Sequence, residues 1–108
     1  MQVNDILTAA EIPHQEAQYP GPPEGTYAVY FDDIEVEGPD CLTPGAPHIT
    51  RHDVTIELYE SSKDDATEAA LETQLIAQGL PWTKQARYWL DSIRRYQVIY
   101  EISYITKS

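Results

Sequence analysis

Residues 96–106, YQVIYEISYIT, place Tyr96, Val98, Tyr100, Ile102 and Tyr104 at two-residue spacing, with Ile99 and Ile105 between them. Side chains alternate across a strand, so this run reads as a strand with apolar surface on both faces, which suggests burial on two sides. Upstream, Lys84–Leu90 reads as its partner, and Asp91, Ser92 and their neighbours make the turn. The chain has eight Tyr against one Phe and two Trp. Tyr joins a large apolar body to a wettable tip, which suits half-buried strands and protein interfaces.

Further upstream, His48–Glu60 alternates Val54, Ile56 and Leu58 with Asp53, Thr55 and Glu57, the pattern of a sheet with one buried face. A helix is expected over Lys63–Gln78, capped by Ser61 or Ser62 and closed by Gly79. Ala66, Ala69, Ala70, Thr73, Ile76 and Ala77 form a small-residue stripe that would let this helix lie close to the sheet. Leu71 and Leu75 fall on the opposite side, one turn apart. They either pack beneath another helix of the chain or meet a neighbouring subunit, because a solvated face does not need two leucines.

At the start of the chain, Asn4 caps a short helix over Asp5–Glu11 that Pro13 ends, with Ile6, Leu7, Ala10 and Ile12 buried. Residues 19–25, YPGPPEG, form a stiff loop, and Thr26–Asp32 reads as a strand. Residues 33–47 read mainly as an acidic loop rich in turn formers, with a short strand at Ile34–Glu37. The expected fold is α+β: one domain over residues 1–108, with two helices on an antiparallel or mixed sheet of four to five strands, in the order α-β-(β)-β-α-β-β.

At 108 residues the chain is long enough to bury a core without disulfides or metals. Its single cysteine, Cys41, allows no intrachain disulfide, which fits a reducing compartment. The N-terminus has no signal-peptide pattern, and no stretch approaches the ~20 apolar residues that span a bilayer. The formal net charge of −11, from 18 acids and seven bases, argues against conventional nucleic-acid binding. Such a surface favours solubility, or keeps DNA from adhering where it must pass.

Catalytic equipment is missing from the sequence. No phosphate loop, nucleophile elbow or CxxC is present. His48 and His52, four apart on a strand, lie ~13 Å from each other, too far to share a metal. Asp33-x-Glu35-x-Glu37-Gly38 imitates the start of a calcium loop, but Pro44 stands where a bidentate Glu is needed. Acidic neighbours would raise the pKa of Cys41 rather than activate it. No enzyme activity, metal or cofactor is therefore expected.

Three segments resemble a known family. The run from Ile12-Pro13 through Tyr19-Pro20 to Tyr27-Ala28-Val29-Tyr30 is similar to the opening of tail terminator proteins of long-tailed phages, also called tail completion or tail-to-head joining proteins. Asp53-Val54-Thr55-Ile56-Glu57-Leu58-Tyr59 resembles the strand before their main helix, and Gly79-Leu80 with Tyr96–Ile102 resembles their closing strands. The resemblance covers nearly the whole chain through scattered hydrophobic and Tyr positions. It implies a virion protein of the tail neck, assembled in the bacterial cytoplasm. It also implies a hexameric ring that caps the tail tube and joins it to the head connector or stopper, with DNA as passing cargo and no membrane. In that setting Leu71, Leu75, Tyr96, Tyr100 and Tyr104 are subunit-interface candidates, and Asp32, Asp33, Glu35, Glu37 and Asp40 are candidates for a lumen-facing acidic loop. The rival readings are another head–tail connector or minor tail subunit, and an acidic DNA mimic that regulates a host protein.

Overall fold

The computed structural model describes residues 3–37 and 49–107, and Asp40, Cys41 and His48 lie outside that range. Among the described residues two helices and six strands follow in the order α1 (Val3–Ala9), β1 (His14–Glu16), β2 (Tyr27–Glu37), β3 (Ile49–Glu60), α2 (Asp65–Ala77), β4 (Trp82–Lys84), β5 (Tyr88–Leu90) and β6 (Arg95–Lys107). The α+β class is as expected, with more strands than the sequence pattern announced.

The centre of the sheet is β2-β3-β6, paired antiparallel along nearly their whole length. In its rows Ala28 sits opposite Leu58 and Val98, Tyr30 opposite Ile56 and Tyr100, and Asp32 opposite Val54 and Ile102. Alternation sends this set to one face, where it meets Val3, Ile6, Leu7 and Ile12 of the N-terminal segment and Leu71 and Leu75 of α2. The sequence left open which face of residues 96–106 meets the core. It is the face of Val98, Tyr100 and Ile102, while Ile105 is 62% exposed on the other.

The strand β1 was not expected. It pairs parallel with Ala28–Tyr30 and makes the sheet mixed. Its sequence, HQE, has no apolar pattern, because backbone pairing rather than side-chain burial holds it. The segment 33–37, read mainly as loop, continues β2, with Asp33 opposite Asp53 and Glu35 opposite Arg51. In place of one strand over Lys84–Leu90 there are two short ones, both paired with β6 and separated by residues 85–87.

Both helices end in the same way. Leu80 N–H reaches Leu75 C=O (3.1 Å) and Gly79 N–H reaches Ile76 C=O (3.0 Å), with Gly79 at φ +68°. In α1, Ile12 N–H reaches Leu7 C=O and Glu11 N–H reaches Thr8 C=O, with Glu11 at φ 59°. These are Schellman closures, each with an apolar contact across the helix end, and the first stops α1 ahead of the expected break at Pro13. The N-cap of α2 is Asp64, not Ser61 or Ser62. Its carboxylate accepts from the Thr67 N–H (3.1 Å), the Thr67 hydroxyl (2.6 Å) and the Thr26 hydroxyl (2.6 Å). The Thr26 and Thr67 bonds hold Asp64 below its ordinary pKa.

The helix α2 is turned the other way from the expected orientation. Leu71 and Leu75 are fully buried, and Ile76 of the small-residue stripe is 68% exposed. The inward stripe also carries Glu68, which is buried and ion-paired, so the apolar pattern of the helix was obscured. Truncating Leu71 or Leu75 to Ala should cost about 2–5 kcal/mol each, whereas Ile76→Ala should stay within about 0.5 kcal/mol. Chemical denaturation measures both, and the opposite ranking would mean that the small-residue stripe faces the sheet.

Candidate assembly surface

Beyond the core, the three long strands continue past the helices as an arm. Val54 and Ile102 are the last fully buried row. Two residues further, His52 and Tyr104 are half-buried and stack face to face at 4.5 Å and 6°. Both Asp32 carboxylate oxygens lie 3.2 Å from His52 Nδ1. Ile34, in register with His52, is 59% exposed. The core face therefore runs on into a surface that no described helix covers.

The opposite face of the arm is acidic. Asp33 sits directly opposite Asp53, a pairing of like charges that disfavours the sheet locally. Asp53 accepts from the Ser103 hydroxyl at 2.7 Å, and Arg51 approaches it only to 3.9 Å. A shallow groove of about 180 Å³ runs between Asp33, Asp53, Glu101 and Ser103. Phe31 and Ile105 stand exposed on this face, so acid and apolar surface are interleaved.

Behind the arm, a charge cluster ties α2 to the sheet. Lys84 reaches Glu68 (2.7 Å) and Glu72 (2.8 Å), and the Tyr100 hydroxyl donates to Glu72 (2.7 Å). Arg87 binds Glu60 (3.3 Å), Asp65 (3.4 Å) and Glu68. The break between β4 and β5 is what points Arg87 back into the cluster. Glu60 and Glu68 are both buried, and Glu60 Oε2 has no hydrogen-bond partner among the described residues. Burial, and then its bond with Glu68, push the Glu60 carboxyl up to about 7. Burial acts the same way on Glu68 but is outweighed by its bonds to Glu60, Lys84 and Arg87, which leave it below the ordinary range. Burial and the Glu72 bond raise Tyr100. With Glu60 and Glu68 buried and their cations nearer the surface, the cluster clamps elements together. No group of three or more His, Cys, Asp or Glu among the described residues could hold a metal ion.

The expected interface residues separate on this frame. Leu71, Leu75 and Tyr100 are fully buried inside the chain and offer a neighbour no surface: of the two readings of the leucines the packing within the chain holds, and Tyr100 is corrected from a contact to a core residue. Tyr96 is half-buried against Trp89, with ring centroids 4.9 Å apart, and Tyr104 lies on the arm. Asp32, Asp33, Glu35 and Glu37 belong to β2 rather than to a loop. Sequence reasoning did not find Ile34, His52, Ser103 or the Glu60–Glu68–Arg87 cluster. A usable signal was Glu68 and Glu72, one turn apart on the same helix stripe and facing two of the chain's few cations.

No protein-family model and no curated protein sequence matches the chain. Among solved structures, its fold is similar to that of a chain from the "Virion of native gene transfer agent (GTA) particle", with 14% identity and a TM-score of 0.53. The match covers 95% of this chain and 84% of the other.

The buried pair predicts a pH signature. Because folding raises the pKa of Glu60, its contribution to stability is full below about 4.5 and is lost as pH rises through about 7. Glu68 has the opposite sign, and its contribution is lost only as pH falls below the ordinary carboxylate range. Glu60→Gln should therefore gain on the wild type between pH 4.5 and 7, by on the order of 1–3 kcal/mol. Thermal unfolding at stepped pH reads this, and parallel curves for the two proteins would refute it.

Proposed function

We propose that this chain is a structural subunit of a phage-like virion and, within it, a tail terminator: a ring that caps the tail tube and joins it to the head connector, with DNA passing through its lumen. The observation that carries the reading is the three-stranded arm, whose core face runs on past the described helices with Ile34 exposed, a surface suited to burial between protein subunits. The whole-chain fold likeness to a virion protein supports the same setting. The acidic face, with Asp33, Asp53 and Glu101, lines the lumen and keeps passing DNA from adhering, while the helices face outward. The subunit needs no catalytic group or cofactor for this task.

Negative-stain microscopy of the purified protein, alone and with tail tubes, tests the assignment. Rings with a central hole, seated on tube ends, are expected. A strict monomer that ignores tubes would overturn it, and binding elsewhere on the particle would favour a different connector or tail subunit. Converting Asp33, Glu35 and Glu37 to their amides should leave rings intact and lower infectivity severalfold, and unchanged infectivity would remove this face from the lumen.

A further inference from the structure

Among the described residues the arm leaves two strand edges bare. On one side, β1 pairs with β2 only at Ala28–Tyr30, so residues 31–37 have no neighbour opposite β3 among the described residues. On the other side, β5 and β4 pair with β6 only at Arg95–Gln97 and Tyr100–Ile102, so residues 103–107 are equally bare. Such edges are templates for pairing with another chain unless something covers them.

Hydrogen-bond parity fixes which backbone groups are free. The Ala28 N–H donates outward to Pro13, and the Tyr30 carbonyl accepts from Ala17 N–H. At two-residue spacing the groups of Asp32, Ile34 and Val36 point the same way. On β6 the Ile99 carbonyl accepts from Gln85 N–H, on the side away from β3, so Ser103, Ile105 and Lys107 point outward there. Each edge thus offers three residues in matching alternation.

The edges also differ in charge. Residues 31–37 include four acids and no base, whereas residues 103–107 include one lysine and no acid. Pairing β2 with a second β2 would oppose two acidic strands, while β2 against β6 joins unlike edges. Both strands are antiparallel to β3, so they run in the same direction. Copies that continue the sheet head to tail must therefore pair these edges in parallel.

We infer that residues 31–37 of one copy pair, as parallel strands, with residues 103–107 of the next copy of this chain. The contact is heterologous, using a different patch on each side, and so builds a closed ring or an open filament rather than a two-fold dimer. The inference rests on the assembly reading above and names the surfaces that perform it.

Proline at an outward position removes one edge donor and spares the ladder to β3. Ile34→Pro blocks the β2 edge and Ile105→Pro blocks the β6 edge, with circular dichroism checking the fold. Self-association of each alone, read by analytical ultracentrifugation in the presence of tail tubes and without them, should weaken about tenfold or more. An equimolar mixture of the two should stop at a heterodimer, because each variant retains the edge that the other lacks. Ile105→Glu keeps every backbone donor and adds an acid facing the acidic edge, so it should weaken assembly and recover with salt. Persistent dimers of one proline variant alone would overturn the head-to-tail arrangement in favour of like-edge pairing. Wild-type-like assembly of both would overturn the edge interface while leaving the ring reading standing, and a wild type that never assembles, even on tubes, would overturn both.

Discussion

The length mismatch between strands and helices governs this molecule. The central strands have 11, 12 and 13 residues, spanning roughly 36–43 Å, whereas the 13 residues of α2 rise only about 20 Å. With α1 only 7 residues long, the two helices can cover about half of such a sheet. The covered half becomes the core, from Ala28, Leu58 and Val98 to Val54 and Ile102, and the rest becomes an arm with the same strand register that no described helix covers. The molecule is accordingly elongated, 53 × 28 × 22 Å.

Holding the covered half closed falls partly to charge. A chain with 18 acids and seven bases has few cations to place, and it uses Lys84 and Arg87 to bind Glu60, Glu68 and Glu72. Burying ions is costly, so this clamp depends on Glu68 keeping both Lys84 and Arg87. Glu60 takes the cost as an elevated pKa, because Glu68 holds the better-bonded position between both cations. Arg95 does a related task at the other end of the sheet, donating to Gly25 C=O (2.6 Å) and Pro23 C=O (3.0 Å) and lying over the Tyr27 ring. It fixes the proline-rich loop against the sheet.

The parts of this fold that the sequence made legible are those where one-sided burial writes a period. The alternation of Val54, Ile56 and Leu58 identified β3 because its buried row lies on one face, whereas β6, read as buried on both sides, buries the row of Val98, Tyr100 and Ile102 and leaves Ile105 exposed on the other. Where another force decides, the pattern was silent or misleading. Backbone pairing alone makes β1 from HQE. Asp32, Asp33, Glu35 and Glu37 are poor strand formers, and they are held in β2 by the register with β3. Glu68 beside Leu71 and Leu75 hid the inward side of α2, so the small-residue stripe was expected to face the sheet and the two core leucines were left between an internal and an external contact. The candidate surface was half legible for the same reason: its acids and Tyr104 stand out in the sequence. The exposure of Ile34 and the bare edges follow only from where the helices end.

In the proposed assembly the arm's edges are the place where this chain meets its copies, and amide hydrogen exchange reads those edges residue by residue. In the isolated chain, the outward amides of Asp32, Ile34, Ser103 and Ile105 should exchange quickly, while those of Asp33 and Thr55, which point into the sheet, stay protected. In rings assembled on tail tubes, the outward set should become protected and the inward set should not change. Outward amides that stay fast in the assembled ring, with new protection appearing instead on the exposed side of α2 around Ala69 and Ile76, would contradict it.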